Sequence, residues 1–250
     1  MAGHSHWATI KRQKSAADAK KGQLFSKLAR AIQIAVRQGG PDPEANLKLR
    51  YAIEKAREAS MPKETIERAI KKGSGELEGE TIEEVTYEGY GPGGAAILVE
   101  CTTDNRNRTT SEIRKIFEKG GGKMGSAGAV AWLFERKGLI VVDANAIEED
   151  RLLEIVLEAG AEDLKRTGSK YEITCDPPAF TQVQAALRQH GVPVVSAELT
   201  QQPKSPLDVD TETARRVLKL MEMLDEHDDV QNVYSNINIT EEAMAAVTTG

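Results

Sequence analysis

Apolar residues between Asp18 and Gln38 recur with a helical period: Leu24, Leu28, Ala31, Ile32 and Ala35 fall on one face. Stepping about 100° per residue, Lys20, Lys27, Arg30 and Arg37 gather on the opposite side. Ile34 falls inside that basic arc and breaks the pattern. Gly39 and Gly40 are expected to end the helix. A second helix is predicted from Asp42 as N-cap with Pro43 in its first turn, running through Leu47, Tyr51 and Ala59. A third begins at Pro62, carries Ile66 and Ile70, and stops at Lys71, Lys72 and Gly73. Residues 74–79, rich in glycine and glutamate, read as a linker.

Beyond the linker the period changes to that of strands. Val85–Tyr90 and Ala95–Cys101 flank Gly91, Pro92, Gly93 and Gly94, a hairpin-like turn. A helix carrying Ile113, Ile116 and Phe117 follows, then a strand from Val130 to Phe134. Residues 138–202 read as strand Leu139–Val142, a helix with Ile147, Leu152, Ile155 and Val156, strands near Glu162–Lys165 and Tyr171–Cys175, a helix with Val183 and Leu187, and strand Val194–Leu199. That βαββαβ order is the ferredoxin-like split βαβ. A last helix with Val217, Leu218, Met221 and Leu224, and a strand from Val230 to Ile239, would complete the sheet begun near residue 81. The ferredoxin-like unit is then an insertion, held through glycine and proline joints at its ends. The expected fold class is α+β. An N-terminal three-helix domain covers residues 1–75, a discontinuous α+β domain covers 80–136 and 206–245, and the inserted domain covers 137–205.

Charge adds a direction to this arrangement. The 250-residue chain has a net charge of −6. Residues 1–72 nevertheless hold 16 Lys and Arg against 7 Asp and Glu, a net of +9. The remainder holds 17 against 32, a net of −15. The first 37 residues carry eight basic side chains and one acid, Asp18. Such asymmetry points to a polyanion, and nucleic acid is the commonest. It also suggests that the helical domain faces the phosphates while the acidic domains are held away. With four Phe, two Trp and five Tyr, rich base-stacking platforms are not expected.

Other chemistry is sparse. Cys101 and Cys175 are too few for a disulfide framework or a cysteine-rich zinc site, which fits a reducing compartment. The N-terminus lacks the apolar core of a secretion signal, and no stretch approaches the ~20 apolar residues of a membrane helix. A cytoplasmic protein without a membrane partner is expected. Gly120–Gly125 matches GxGxxG, but it follows a helix and leads into a strand, so a flexible loop is expected rather than a dinucleotide site. With Met1 removed, Ala2, Gly3 and His4 could wrap Cu(II) or Ni(II) in a square plane, as any chain with histidine third can, so no functional metal is expected there. The run from Asp225 to Asp229 carries no fixed ligand spacing and reads as a solvated turn. No catalytic constellation, cofactor loop, metal site or small-molecule substrate is therefore expected. Asp104–Thr109 places Arg106 and Arg108 just before a helix start, where they could contact phosphates or lie solvated beside a helix cap.

Several longer motifs carry a resemblance: GHSHW (Gly3–Trp7), GGPDPEANLKLR (Gly39–Arg50), MPKETIERAIKKG (Met61–Gly73), YEGYGPGG (Tyr87–Gly94), TDNRNRT (Thr103–Thr109), VAWLFERKG (Val130–Gly138) and LDEHDDVQNVYSN (Leu224–Asn236). Together they make the chain resemble the YebC/PmpR family over nearly its whole length. His6, Ser60 and Met124 depart from the family's usual residues. The resemblance implies a three-domain α+β protein of the bacterial cytoplasm and a DNA-binding transcriptional regulator. Mitochondrial relatives are activators of translation, which implies the alternative of a ribosome-associated factor on rRNA or tRNA. With GHSHW so near the start, the bacterial branch is the expected one. The family brings no catalytic residues. Lys11, Arg12, Lys14, Lys20, Lys21, Lys27, Arg30 and Arg37, with Arg106 and Arg108, are the expected nucleic-acid contacts.

Overall fold

A computed structural model describes residues 18–78 and 81–238, with side chains from residue 21 onward. Three helices open it: α1 (Asp18–Gly39), α2 (Leu47–Glu58) and α3 (Lys63–Ser74). Their shared core holds Ile32, Ala35, Val36, Leu49, Ile53 and Ile66. The start of α2 differs from the sequence expectation. Asn46, not Asp42, is its N-cap: Oδ1 accepts from the Leu49 N–H at 3.0 Å, while Nδ2 donates to the Ala35 and Gly40 carbonyls. Buried Asn46 thus satisfies orphan groups at the ends of two helices at once. Asp42 instead closes the preceding turn, accepting from the Glu44 N–H. Gly73 is not the stop of α3 either. A Cβ there would lie 2.8 Å from the Gln33 carbonyl oxygen, so glycine permits close crossing with α1. The left-handed C-cap is Gly75.

Two antiparallel sheets follow. The first takes β1 (Glu83–Tyr90), β2 (Ala96–Thr103), β3 (Lys123–Met124) and, from much later in the chain, β8 (Val230–Ser235), in the order β3-β1-β2-β8. Helices α4 (Arg106–Lys119) and α7 (Thr211–Asp225) cover one face through Ile113, Phe117, Val217, Leu218, Met221 and Leu224. The second sheet is built from β4 (Phe134–Asp143), β5 (Ala161–Thr167), β6 (Lys170–Cys175) and β7 (Val194–Pro203), ordered β5-β6-β4-β7. Helices α5 (Glu149–Glu158) and α6 (Phe180–Gln189) pack on it through Leu152, Ile155, Val156, Val183 and Leu187. This is the strand order of the split βαβ. The α+β class read from the sequence is the observed one.

The connection between the sheets differs from the expected joints. Val130–Phe134 is not a strand: Ala131–Leu133 is a 3-10 turn that lays Val130, Leu133 and Phe134 against the uncovered face of the first sheet. From Phe134 the chain enters β4 directly, paired with β7 from Phe134↔Pro203 to Val142↔Val194. A continuous two-stranded ribbon therefore joins the sheets. Gly120–Gly125 is likewise no loose loop. Gly120 caps α4, and Lys123–Met124 pair with β1 as β3.

Candidate nucleic-acid interface

The basic arc of α1 meets a partner within the chain. Between α7 and β8 the turn Asp225–Asp229 presents carbonyls and carboxylates to it. Gln23 Nε2 donates to the Glu226 carbonyl and to Asp228 Oδ1, Lys27 Nζ to the Asp225 carbonyl, and Arg30 to the Asp228 carbonyl and Asp229 Oδ1. Lys27 is only 8% exposed. One turn further on, Ile34 is buried as well. The residue that breaks the polar arc is thus consistent with a helix face turned toward the protein, where α1 packs on β8.

Asp229 is the centre of this junction. Its carboxylate, 2% exposed, accepts from Arg30 at 2.8 Å, from Arg108 at 2.8 Å and from the Thr109 hydroxyl at 2.7 Å. Burial works to raise its pKa. The Thr109 and Arg108 hydrogen bonds and the charges of Arg108 and Arg30 outweigh that and hold it below the ordinary aspartate value. Asn105 caps α4 by accepting from the Arg108 N–H, which brings Arg108 and Thr109 to Asp229. Arg108 also pairs with Asp104 at 2.8 Å, and these hydrogen bonds raise its already high pKa. His227 supports the turn, its Nε2 2.9 Å from Glu112 and its Nδ1 accepting from the Asp229 N–H.

The helical module also reaches the second sheet. Tyr51 of α2 lies edge-on to Phe180 at 6.0 Å, and its hydroxyl accepts from the Leu199 N–H. Lys55 sits 4.9 Å over the Tyr51 ring and 3.6 Å from Glu198. The acidic domains are therefore not held away from the basic helices; they dock against them.

This placement sorts the ten expected contacts. Lys27, Arg30 and Arg108 are held at the Asp225–Asp229 junction, and Arg37 donates to the Ile82 carbonyl at 3.0 Å. Acceptors from distant segments reach all four: Lys27 is buried and Arg30 half-buried there, while Arg37 and Arg108 keep exposed surface beside their partners. Lys21 and Arg106 are exposed. Lys11, Arg12 and Lys14, with His4 and His6, lie outside the described residues, as does the side chain of Lys20. Sequence reasoning missed Asp229, although the charged run that contains it was visible. Among the described residues no three His, Cys, Asp or Glu side chains form a metal-ligand group, and no helix is long and apolar enough to cross a membrane.

Residues 5–76 match the sequence model described as the TACO1/YebC protein N-terminal domain, and residues 82–237 match that of the TACO1/YebC second and third domain. A protein of Dictyoglomus turgidum named "Probable transcriptional regulatory protein" is 52% identical over 248 residues, covering 99% of this chain and 100% of the relative. One from Geobacter sulfurreducens with the same designation is 51% identical over 244 residues, 98% of each chain. The crystal structure of a conserved hypothetical protein from Aquifex aeolicus superposes with a TM-score of 0.79 at 53% identity, covering 90% of this chain and 93% of that one.

Proposed function

The chain belongs to the TACO1/YebC family, and from that premise we propose that it is a nucleic-acid-binding regulator of gene expression that contacts DNA phosphates through its basic N-terminal segment. It works in the cytoplasm, by binding rather than by catalysis. The names of its relatives support the regulatory part of this reading. One observation carries the polyanion part: Lys11, Arg12, Lys14, Lys20 and Lys21 precede the stretch of α1 that docks on the acidic turn, with Asp18 the lone acid among them. Those five, together with exposed Arg106, are the contacts proposed for nucleic acid. Lys27, Arg30, Arg37 and Arg108 act instead as positioning residues that fix the module on the sheets.

The test is binding of duplex DNA to the full chain, followed by fluorescence anisotropy across a salt series. Six phosphate contacts give a slope of about −5.4 in log affinity against log salt. Reversal of the five lysines and arginines to glutamate is expected to abolish binding while circular dichroism stays unchanged; retained affinity and slope would refute the assignment. A second reading is that the polyanion is rRNA or tRNA on the ribosome. It is favoured by the inward turn of the Lys27–Arg30 face, which denies α1 the open basic side a major-groove helix needs. In-cell cross-linking with sequencing of attached nucleic acid separates the two. Promoter DNA adducts support the first, and dominant rRNA or tRNA adducts the second.

A further inference from the structure

Trp132 is 65% exposed and Tyr90 44%, on the side of the first sheet opposite α4 and α7. Both rings are tethered at their polar edges to one atom: the Ala129 carbonyl accepts from the Tyr90 hydroxyl at 3.1 Å and from the Trp132 indole N–H at 3.2 Å. The segment that carries them is fixed from beneath. Buried Glu88 accepts from the Gly128, Val130 and Ala131 N–H groups, each at 2.7 Å. Val130 and Phe134 anchor the same segment in a small apolar cluster with Leu98 and Tyr234. The aromatic faces are therefore held outward by a preorganised support, with their hydrogen-bonding edges already satisfied.

Apart from the buried Glu88 carboxylate beneath it, the segment that carries Trp132 is basic until Glu135. From residue 119 to residue 134 the sequence contains Lys119 and Lys123 and no acid. Residues 104–137 hold eight Lys and Arg against four Asp and Glu, a local reversal inside the acidic part of the chain. Lys123 is the cross-strand partner of Tyr90, so their side chains leave the same face of the sheet. Exposed Lys204 adjoins the turn through its N–H, which donates to the Leu133 carbonyl at 2.8 Å.

We infer that Trp132 and Tyr90 form a stacking platform for unpaired bases of a single-stranded nucleic acid, with Lys123 and Lys204 beside its phosphates. Two exposed rings with satisfied edges offer π-faces, which every base can stack on, and flanking ammonium groups match the backbone. This inference rests on the nucleic-acid reading above and adds a preference for unpaired strands.

The experiment uses the full chain with Trp7→Phe, which leaves Trp132 as the sole indole. It is titrated with short oligothymidylate, an abasic strand of equal length and a duplex. Oligothymidylate is expected to quench Trp132 emission; the abasic strand and the duplex are not. Adding Trp132→Ala is expected to weaken oligothymidylate binding about tenfold and leave abasic-strand binding unchanged, with Trp132→Phe recovering most of the loss. Loss limited to the base-containing strand also separates a stacking role from a folding defect. Binding of all three probes without quenching, or equal weakening of all three by Trp132→Ala, overturns the platform and leaves the nucleic-acid reading standing. Failure of every probe to bind overturns both.

Discussion

At Asp229 a buried carboxylate meets guanidinium groups from two helices and a threonine hydroxyl, and so joins α1 to the first sheet. Replacing it with alanine leaves Arg30 and Arg108 without this acceptor. Both remain partly solvated, so the cost falls below the ~3–5 kcal/mol of a fully buried broken pair; about 2 kcal/mol is expected from urea unfolding. The pH dependence has a definite sign. Because the folded carboxyl titrates below its unfolded value of about 3.9, its contribution is complete above that range and is lost as the pH falls through the folded value. Asp229→Asn should therefore flatten the acid limb of the stability curve and leave its neutral-to-alkaline shape unchanged. Glu88, with burial opposed by three N–H donors, is shifted down as well and adds to the same limb. Burial pushes the Cys101 thiol up to about 12 and Cys175 up to about 11. Neither should be alkylated in the native protein at neutral pH, while both should react once denaturant unfolds it.

At the scale of elements, the basic side of α1 is a docking surface. Lys27→Glu with Arg30→Glu sets like charge against the Asp225–Asp229 turn. The expected result is a larger radius of gyration by small-angle scattering and faster proteolysis around residues 75–82, with strand content by circular dichroism retained. An unchanged radius would show that the contacts with the second sheet at Tyr51 and Lys55 suffice alone. The ribbon of β4 and β7 explains Gly138 in a similar way. A Cβ there would lie 2.5 Å from the Phe180 ring and 2.7 Å from Cys175 Sγ, so the position demands a missing side chain rather than a hinge. Gly138→Ala is expected to cost about 1–3 kcal/mol through overpacking, read from the urea midpoint.

Across the whole molecule, the charge division of +9 and −15 acts in two places. Part of it is used internally, where α1 and the N-terminal end of α4 converge on the acidic turn. The part before Lys27 is what the proposed function uses. Salt should therefore weaken nucleic-acid binding steeply while affecting the partly buried Asp229 junction much less.

Sequence periodicity determined most of the elements: three helices, the strand–helix alternation of two sheets, and the late helix and strand that are α7 and β8. Those features depend on neighbours a few residues away, where spacing of apolar positions is decisive. It also showed which side of α1 is basic, and marked Ile34 as an anomaly. Tertiary structure decided where that side points, since Lys27 meets a carbonyl 198 residues further on and no local pattern encodes such an encounter. Caps moved for the same reason: Asn46 outcompetes Asp42 because it reaches the end of α1 as well as the start of α2. The aromatic pair at Tyr90 and Trp132 was invisible in a chain with few aromatics. Their exposure is set by Glu88 and a 3-10 turn, which only folding brings beneath them.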